Sequence, residues 1–216
     1  MIKIHTIYDE SFHFEKNKRK DIQYHFKKRT KMVLNILSKY NPLKIIDIGT
    51  ADGESLKIIK RNLPDSQVIG TDYNNKLLKY SLYKGISCDA ECLPFKNNSI
   101  NALMLTAVIE HLKTPKNFVK EAKRVLKKEG LIILTTPVPF FESIAKKIKY
   151  LKNDIHYECY NFKKLSELFN DFKIIEKRKF MVTPFGFPFE DFFEDILNFL
   201  GIDFFMLNQL FAVIKK

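Results

Sequence analysis

Asp47-Ile48-Gly49-Thr50-Ala51-Asp52-Gly53 sets two carboxylates and two glycines where a short apolar run gives way to a helical pattern. Gly49 and Gly53 permit backbone geometry and close approach that a Cβ would obstruct. A ligand seated there would meet free N–H groups at a helix N-terminus, on the carboxyl edge of a sheet, where open α/β folds bind ligands. The Gly-x-Gly-x-x-Gly spacing of dinucleotide sites is missing. An acid two residues ahead of the first glycine suits a cationic ligand better than a pyrophosphate. A second acid, Asp72, ends the next apolar run. Its carboxylate can accept two ribose hydroxyls, or it can cap the helix that starts near Asn74. Two histidines, His111 after the fourth apolar run and His156 in Asp154-Ile155-His156-Tyr157-Glu158-Cys159-Tyr160, are candidate general bases; a capping or partly buried role is the alternative for each.

These groups need a frame, and the hydrophobic pattern supplies one. A helix is expected over residues 13–40, with Ile22, Phe26, Val33, Leu34 and Leu37 on one stripe and Asn41-Pro42 as its stop. Its other face is basic, through Lys16, Lys18, Arg19, Lys20, Lys27, Lys28, Arg29 and Lys31. Strands are expected at 44–48, 67–71, 85–88, 100–106, 131–135, 172–180 and 209–214. Helices follow the first, second and fourth of these, the strongest beginning at Thr114-Pro115 and ending at Gly130. Another spans 161–169. This alternation predicts a mostly parallel seven-stranded sheet covered by helices on both faces. The last two strands lack a long crossover helix, which predicts an antiparallel strand near one edge. Between them, residues 181–207 carry eight phenylalanines from Phe185 to Phe205, and are expected either as core or as a cap over the pocket.

Composition narrows the class. The chain has 216 residues, fitting one α/β domain, 1–216, with residues 1–40 as an N-terminal helical extension. Lys and Arg total 37 against 25 acids, a net charge of +12. That balance admits a nucleic-acid partner through the basic helix, or simply a solvated Lys-rich surface. Cys88, Cys92 and Cys159 are odd in number and lack a Cys-x-x-Cys spacing, so neither a disulfide framework nor a metal site is expected. No signal peptide is recognisable at the N-terminus, and the longest uncharged run, Asn97–Ile109, is too short to span a bilayer. The expected location is the cytoplasm.

The Asp47–Gly53 turn resembles motif I of class I S-adenosylmethionine-dependent methyltransferases, acid-x-Gly-x-Gly-x-Gly, with Ala51 in place of the middle glycine. Three further matches follow in order. Val68–Asp72 ends a strand with an acid, as the family does. Cys88-Asp89-Ala90-Glu91-Cys92-Leu93-Pro94-Phe95 resembles its Asp-Ala-x-x-Leu-Pro-Phe stretch. Thr106-Ala107-Val108-Ile109-Glu110-His111-Leu112 resembles motif IV with its His-Leu ending. The similarity is to the small-molecule and quinone-type members, with a Rossmann-like fold and S-adenosyl-L-methionine as cofactor.

The resemblance implies a role for each residue. Asp47 would hold the cofactor's aminoacyl end, with Gly49, Thr50, Ala51 and Gly53 forming the turn and Thr106 closing the site. Asp72 would take the ribose, Tyr73 would pack on adenine, and Asp89 and Ala90 would contact the base. His111 and His156, the latter in a His-x-x-x-Tyr stretch that often faces the pocket in this family, are the catalytic candidates. The expected acceptor is a small or apolar molecule. Motif IV lacks the (Asn/Asp)-Pro-Pro-(Tyr/Phe) run typical of methylation at exocyclic amines. No cysteine near it could serve methylation at cytosine C5. An RNA-directed methyltransferase and a non-catalytic S-adenosylmethionine-binding protein are the alternatives.

Overall fold

The computed structural model describes residues 18–147 and 156–216. In chain order the elements are α1 (Lys20–Tyr40), β1 (Lys44–Ile48), α2 (Glu54–Asn62), β2 (Gln67–Asp72), α3 (Asn75–Leu78), β3 (Gly85–Ser87) and β4 (Ile100–Thr106). A 3₁₀ turn (Ile109–His111), α4 (Pro115–Val125), β5 (Leu126–Pro137), α5 (Pro139–Lys147), α6 (Phe162–Leu168), β6 (Phe172–Phe180), α7 (Glu190–Phe199) and β7 (Asn208–Lys215) complete it. The strands form one sheet in the order β3-β2-β1-β4-β5-β7-β6. All pairs are parallel except those of β7, which is antiparallel to both β5 and β6. Strand order reverses between β1 and β4, which makes the carboxyl ends of these two strands the natural crevice for a ligand.

Alternate side chains of the strands feed two separate cores. Ile46, Ile48, Leu103, Leu105, Ile132 and Leu134 share one with Phe118 of α4 and Leu165 of α6. Ile45, Ala102, Met104, Leu131 and Ile133 share the other with α1 and α2. This period of two in a sheet buried on both sides explains why its strands read as nearly continuous apolar runs. Met32, Val33, Ile36 and Leu37 anchor α1 on the second face, each burial contributing about 1.5–3 kcal/mol. Asn41 ends α1 in the left-handed conformation, with φ 44° and its N–H donated to the Leu37 carbonyl.

Three expectations are corrected. Among the described residues the first helix begins at Lys20, with Arg19 as its N-cap; positions 13–17 of the expected helix, including Lys16, lie outside the described residues. Helix α4 stops at Val125 rather than at Gly130, because Leu126 is already extended and pairs with Ile100. Glu129 then takes a φ of 61°, and the ladder resumes at Leu131 beside Ala102. The third concerns the basic face of α1. Lys28 is buried, with its ammonium 2.5 Å from Asp191, 2.9 Å from Glu194 and 3.8 Å from Glu190.

Those carboxylates belong to α7 or its first turn, and they invert its amphipathicity. Glu190 and Glu194 are its buried residues. Glu194 accepts from the Met181 N–H at 2.6 Å, and Glu190 from the Val182 N–H at 2.9 Å. Seven of the eight phenylalanines, Phe185, Phe187, Phe189, Phe192, Phe193, Phe199 and Phe204, are exposed. The segment departs from the end of β6 and returns at the start of β7. Since β6 runs parallel to β5, both points lie at the sheet's carboxyl edge.

Candidate functional site

Asp47, near the end of β1, is 1% exposed. Its Oδ2 accepts from the Ser55 hydroxyl, while Oδ1 has no hydrogen-bond partner among the described residues. Burial pushes this carboxyl up to about 7; the Ser55 hydroxyl opposes the shift, and Asp72 and Asp52 add to it. A buried acid with one unanswered oxygen is costly unless a cation or donor completes it.

The turn that follows is more self-contained than its sequence implies. Gly49 and Thr50 both donate their N–H groups to the Thr71 carbonyl, at 2.8 and 2.9 Å. Ala51 N–H goes to Asp72 Oδ2 at 2.8 Å, Gly53 N–H to the Thr50 carbonyl, and Glu54 N–H to Asp52 Oδ1. The expected set of free amides is therefore absent at these five positions, because β2 and the turn itself consume them. Phosphate oxygens would find little to bind there; a cation would find Asp47. Ala51 adopts the glycine-like φ of 50°, which fits its alignment with the family's middle glycine. A Cβ on Gly49 would meet Val108 at 2.5 Å, and one on Gly53 would meet the Ser81 hydroxyl at 2.1 Å.

Asp72 spends one oxygen on Ala51 and the other on the Asn74 N–H, at 2.8 Å each. It is not the cap of α3; Asn74 holds that position and accepts from the Lys76 N–H. Burial raises the Asp72 carboxyl, with the backbone donors pulling it down. Tyr73, Asn75, Ser87, Cys88 and Asp89 line a groove of about 320 Å³ beside it. The structure thus brings Tyr73 and Asp89, sixteen positions apart, to one surface. Ala90 packs, half-buried, against the core, and Thr106 stands at the end of β4, in register with Thr135. The Cys88 thiol is pushed up to about 11 by burial, so it stays protonated, and none of the three cysteines is in a disulfide among the described residues.

His111 and His156 also meet. Their rings lie 4.7 Å apart, edge to face, and Tyr157 N–H donates to the Glu110 carbonyl at 2.9 Å, tying the two segments together. His156 Nδ1 sits 2.6 Å from Glu142 Oε1 of α5, both side chains almost fully buried. Glu110 is 1% exposed; burial raises its carboxyl and His111 is the chief influence lowering it. Sequence reading missed Glu110, Glu142, Ser55 and Ser81. Only Glu110, beside His111 in motif IV, stood where a signal could have been read.

The order of strands, with the glycine turn on β1 and the acid at the end of β2, gives the chain a Rossmann-like fold. Residues 46–134 of the chain, which run from β1 to β5, are similar to a methyltransferase family, matching the model described as "Methyltransferase domain". Demethylmenaquinone methyltransferase of Thermotoga maritima is 28% identical over 114 residues, 50% of each chain. The chain thus spans about half the length of this relative. Among solved structures, the YcgJ protein of Bacillus subtilis superposes with a TM-score of 0.65 at 17% identity, over 88% of this chain and 99% of that one. Geranyl diphosphate C-methyltransferase of Streptomyces coelicolor gives 0.63 at 13% identity, over 86% and 79%. These likenesses are of fold.

Proposed function

We propose that the chain transfers the methyl group of S-adenosylmethionine to a small-molecule acceptor. The observation that carries this reading is the pairing of a buried, half-satisfied Asp47 with a turn whose amides are already used. Such a site answers an ammonium and a sulfonium, and offers little to a pyrophosphate. Asp47 would take the aminoacyl end, Asp72 the ribose, and the Tyr73–Asp89 groove the adenine, with Ala90 at its side. Gly49, Thr50, Ala51 and Gly53 would shape the turn, and Thr106 would border the methyl. In the reaction an acceptor atom attacks the methyl carbon in line as the C–S bond breaks, and the electron pair stays on sulfur as S-adenosylhomocysteine. Alignment supplies most of the acceleration. His111 and His156 are the groups on the acceptor side.

The acceptor is a small molecule in this reading. Lys28, Arg29 and Lys31 of the basic helix are engaged internally, by α7 and by Asn208, which leaves less of that face for a nucleic acid. Segment 181–207 would cap the pocket from the carboxyl edge, its exposed rings favouring an apolar acceptor. Among the described residues no helix is long and apolar enough to cross a membrane; with no disulfide among the described cysteines, we place the protein in the cytoplasm. Calorimetry with S-adenosylhomocysteine and with NAD is the test: micromolar binding of the first, about 8 kcal/mol, and none of the second. The reverse result would sink the reading.

A further inference from the structure

We propose that Glu110, His111 and His156 form a binding site for one divalent first-row transition-metal ion, with Glu142 orienting His156. The three would-be ligand atoms all lie within 4.8 Å of one another. Ligands of one ion at about 2.0–2.2 Å each stand roughly 3–4 Å apart, so modest side-chain rotation would close the set. Two imidazoles and one carboxylate suit zinc, iron, cobalt or nickel better than magnesium or calcium.

An independent observation points to a missing cation. Glu110 is 1% exposed, and neither of its carboxylate oxygens has a hydrogen-bond partner among the described residues. Arg29, whose charge acts on Glu110, directs its guanidinium to Asn208 Oδ1 at 2.9–3.0 Å. Two glutamates and two histidines in one buried cluster form an arrangement that a divalent ion would neutralise. The contact of His156 Nδ1 with Glu142 at 2.6 Å leaves Nε2 as the ligand atom, the carboxylate–imidazole pairing that fixes metal-binding histidines. The alternative is an ion-pair network of protonated histidines with no metal.

The 3₁₀ turn carrying Glu110 and His111 follows Val108, whose side chain fills the space over Gly49. An ion here would stand beside the methyl-transfer crevice, with coordination positions left for an oxygen of the acceptor. That role rests on the proposed methyltransferase reading; the binding of the metal does not.

The full chain, stripped by chelator, would be titrated separately with Zn²⁺ by calorimetry and with Co²⁺ by visible absorption. One equivalent should bind, with cobalt bands of a low-coordinate nitrogen–oxygen site. Glu110→Gln and His156→Ala should each abolish it, and Glu142→Gln should weaken it by about 10–100-fold, circular dichroism confirming each fold. Should a variant not fold, hyperfine structure of Cu²⁺ in the wild-type chain decides, with two imidazole nitrogens expected. No stoichiometric binding, unchanged binding in folded Glu110→Gln and His156→Ala, or a nitrogen count other than two would overturn the site. Parallel titration with S-adenosylhomocysteine separates the two readings: metal without cofactor refutes the methyltransferase assignment alone, and cofactor without metal refutes this site alone.

Discussion

Asp47 gives the cofactor reading its sharpest pH test. Burial pushes its carboxyl up to about 7, and an ammonium binds only the ionised form. The ionised fraction is about one in eleven a unit below that value and about ten in eleven a unit above, because one unit is a factor of ten, or about 1.4 kcal/mol. Affinity for S-adenosylhomocysteine should therefore rise about tenfold from pH 6 to pH 8 and level off above. The groups bearing on Asp47 are Ser55, Thr50, Asp72 and Asp52; burial raises the Asp72 carboxyl as well, so the Asp47→Asn control is what assigns the step. Stability runs the other way. A carboxyl raised from its ordinary 3.8 is penalised when charged, so the penalty is absent below about pH 4 and complete above about 7, on the order of 4 kcal/mol. Ligand should thus raise the melting temperature more at pH 8 than at pH 6. Calorimetry across pH, with Asp47→Asn as control, checks both. A flat wild-type profile, or an Asp47→Asn profile that still climbs, would refute the argument.

Other outcomes can be checked alongside. Asp72→Ala should weaken S-adenosylhomocysteine by about 1–3 kcal/mol and also lower the melting temperature, since Ala51 and Asn74 lose their acceptor; a fold and affinity equal to wild type would remove Asp72 from the site. Gly49→Ala forces a Cβ into Val108 at a φ of 73°, and should cost about 1–3 kcal/mol by chemical denaturation. Gly49→Ala with Val108→Ala should recover part of that loss, and no recovery would show that backbone conformation alone matters. Lys28→Met leaves Glu190 and Glu194 buried without their cation, so about 3–5 kcal/mol should be lost at neutral pH. Lowering the pH should shrink the difference from wild type as Glu190, raised by burial, protonates; a constant difference would contradict the electrostatic account.

The sheet was legible because a strand covered on both sides must be apolar at nearly every position, as in Ile100–Thr106, and the glycine turn marks where the first such run ends. A mostly parallel seven-stranded sheet with an antiparallel strand near one edge followed from that frame, while the order of its strands did not. Other features depend on partners far away in the chain. Lys28 reads as one more solvated lysine until Glu194, 166 positions later, is set beside it. Helix α7 reads as an apolar face seeking burial, yet its glutamates are the groups turned inward, answering Lys28 and the free N–H groups of Met181 and Val182. Glu142 lies in a helix with no motif, and only the fold brings it to His156. The fate of the turn's amides was also hidden, since their acceptor, the Thr71 carbonyl, has no side-chain signature.

Those amides splice the glycine turn to β2: Gly49, Thr50 and Ala51 are all fastened to Thr71 or Asp72. The acid at the end of β1 and the acid at the end of β2 therefore sit at the two jaws of a fixed caliper. In the proposed site, a molecule of the cofactor's length spans both jaws without first ordering the loop, and sheds little entropy of the protein in doing so. A shorter one, adenosine or methionine alone, engages a single jaw and gains nothing from the other. Discrimination by length is thus set in large part by the Gly49 and Thr50 amides on the Thr71 carbonyl, which side-chain substitutions around the pocket leave in place.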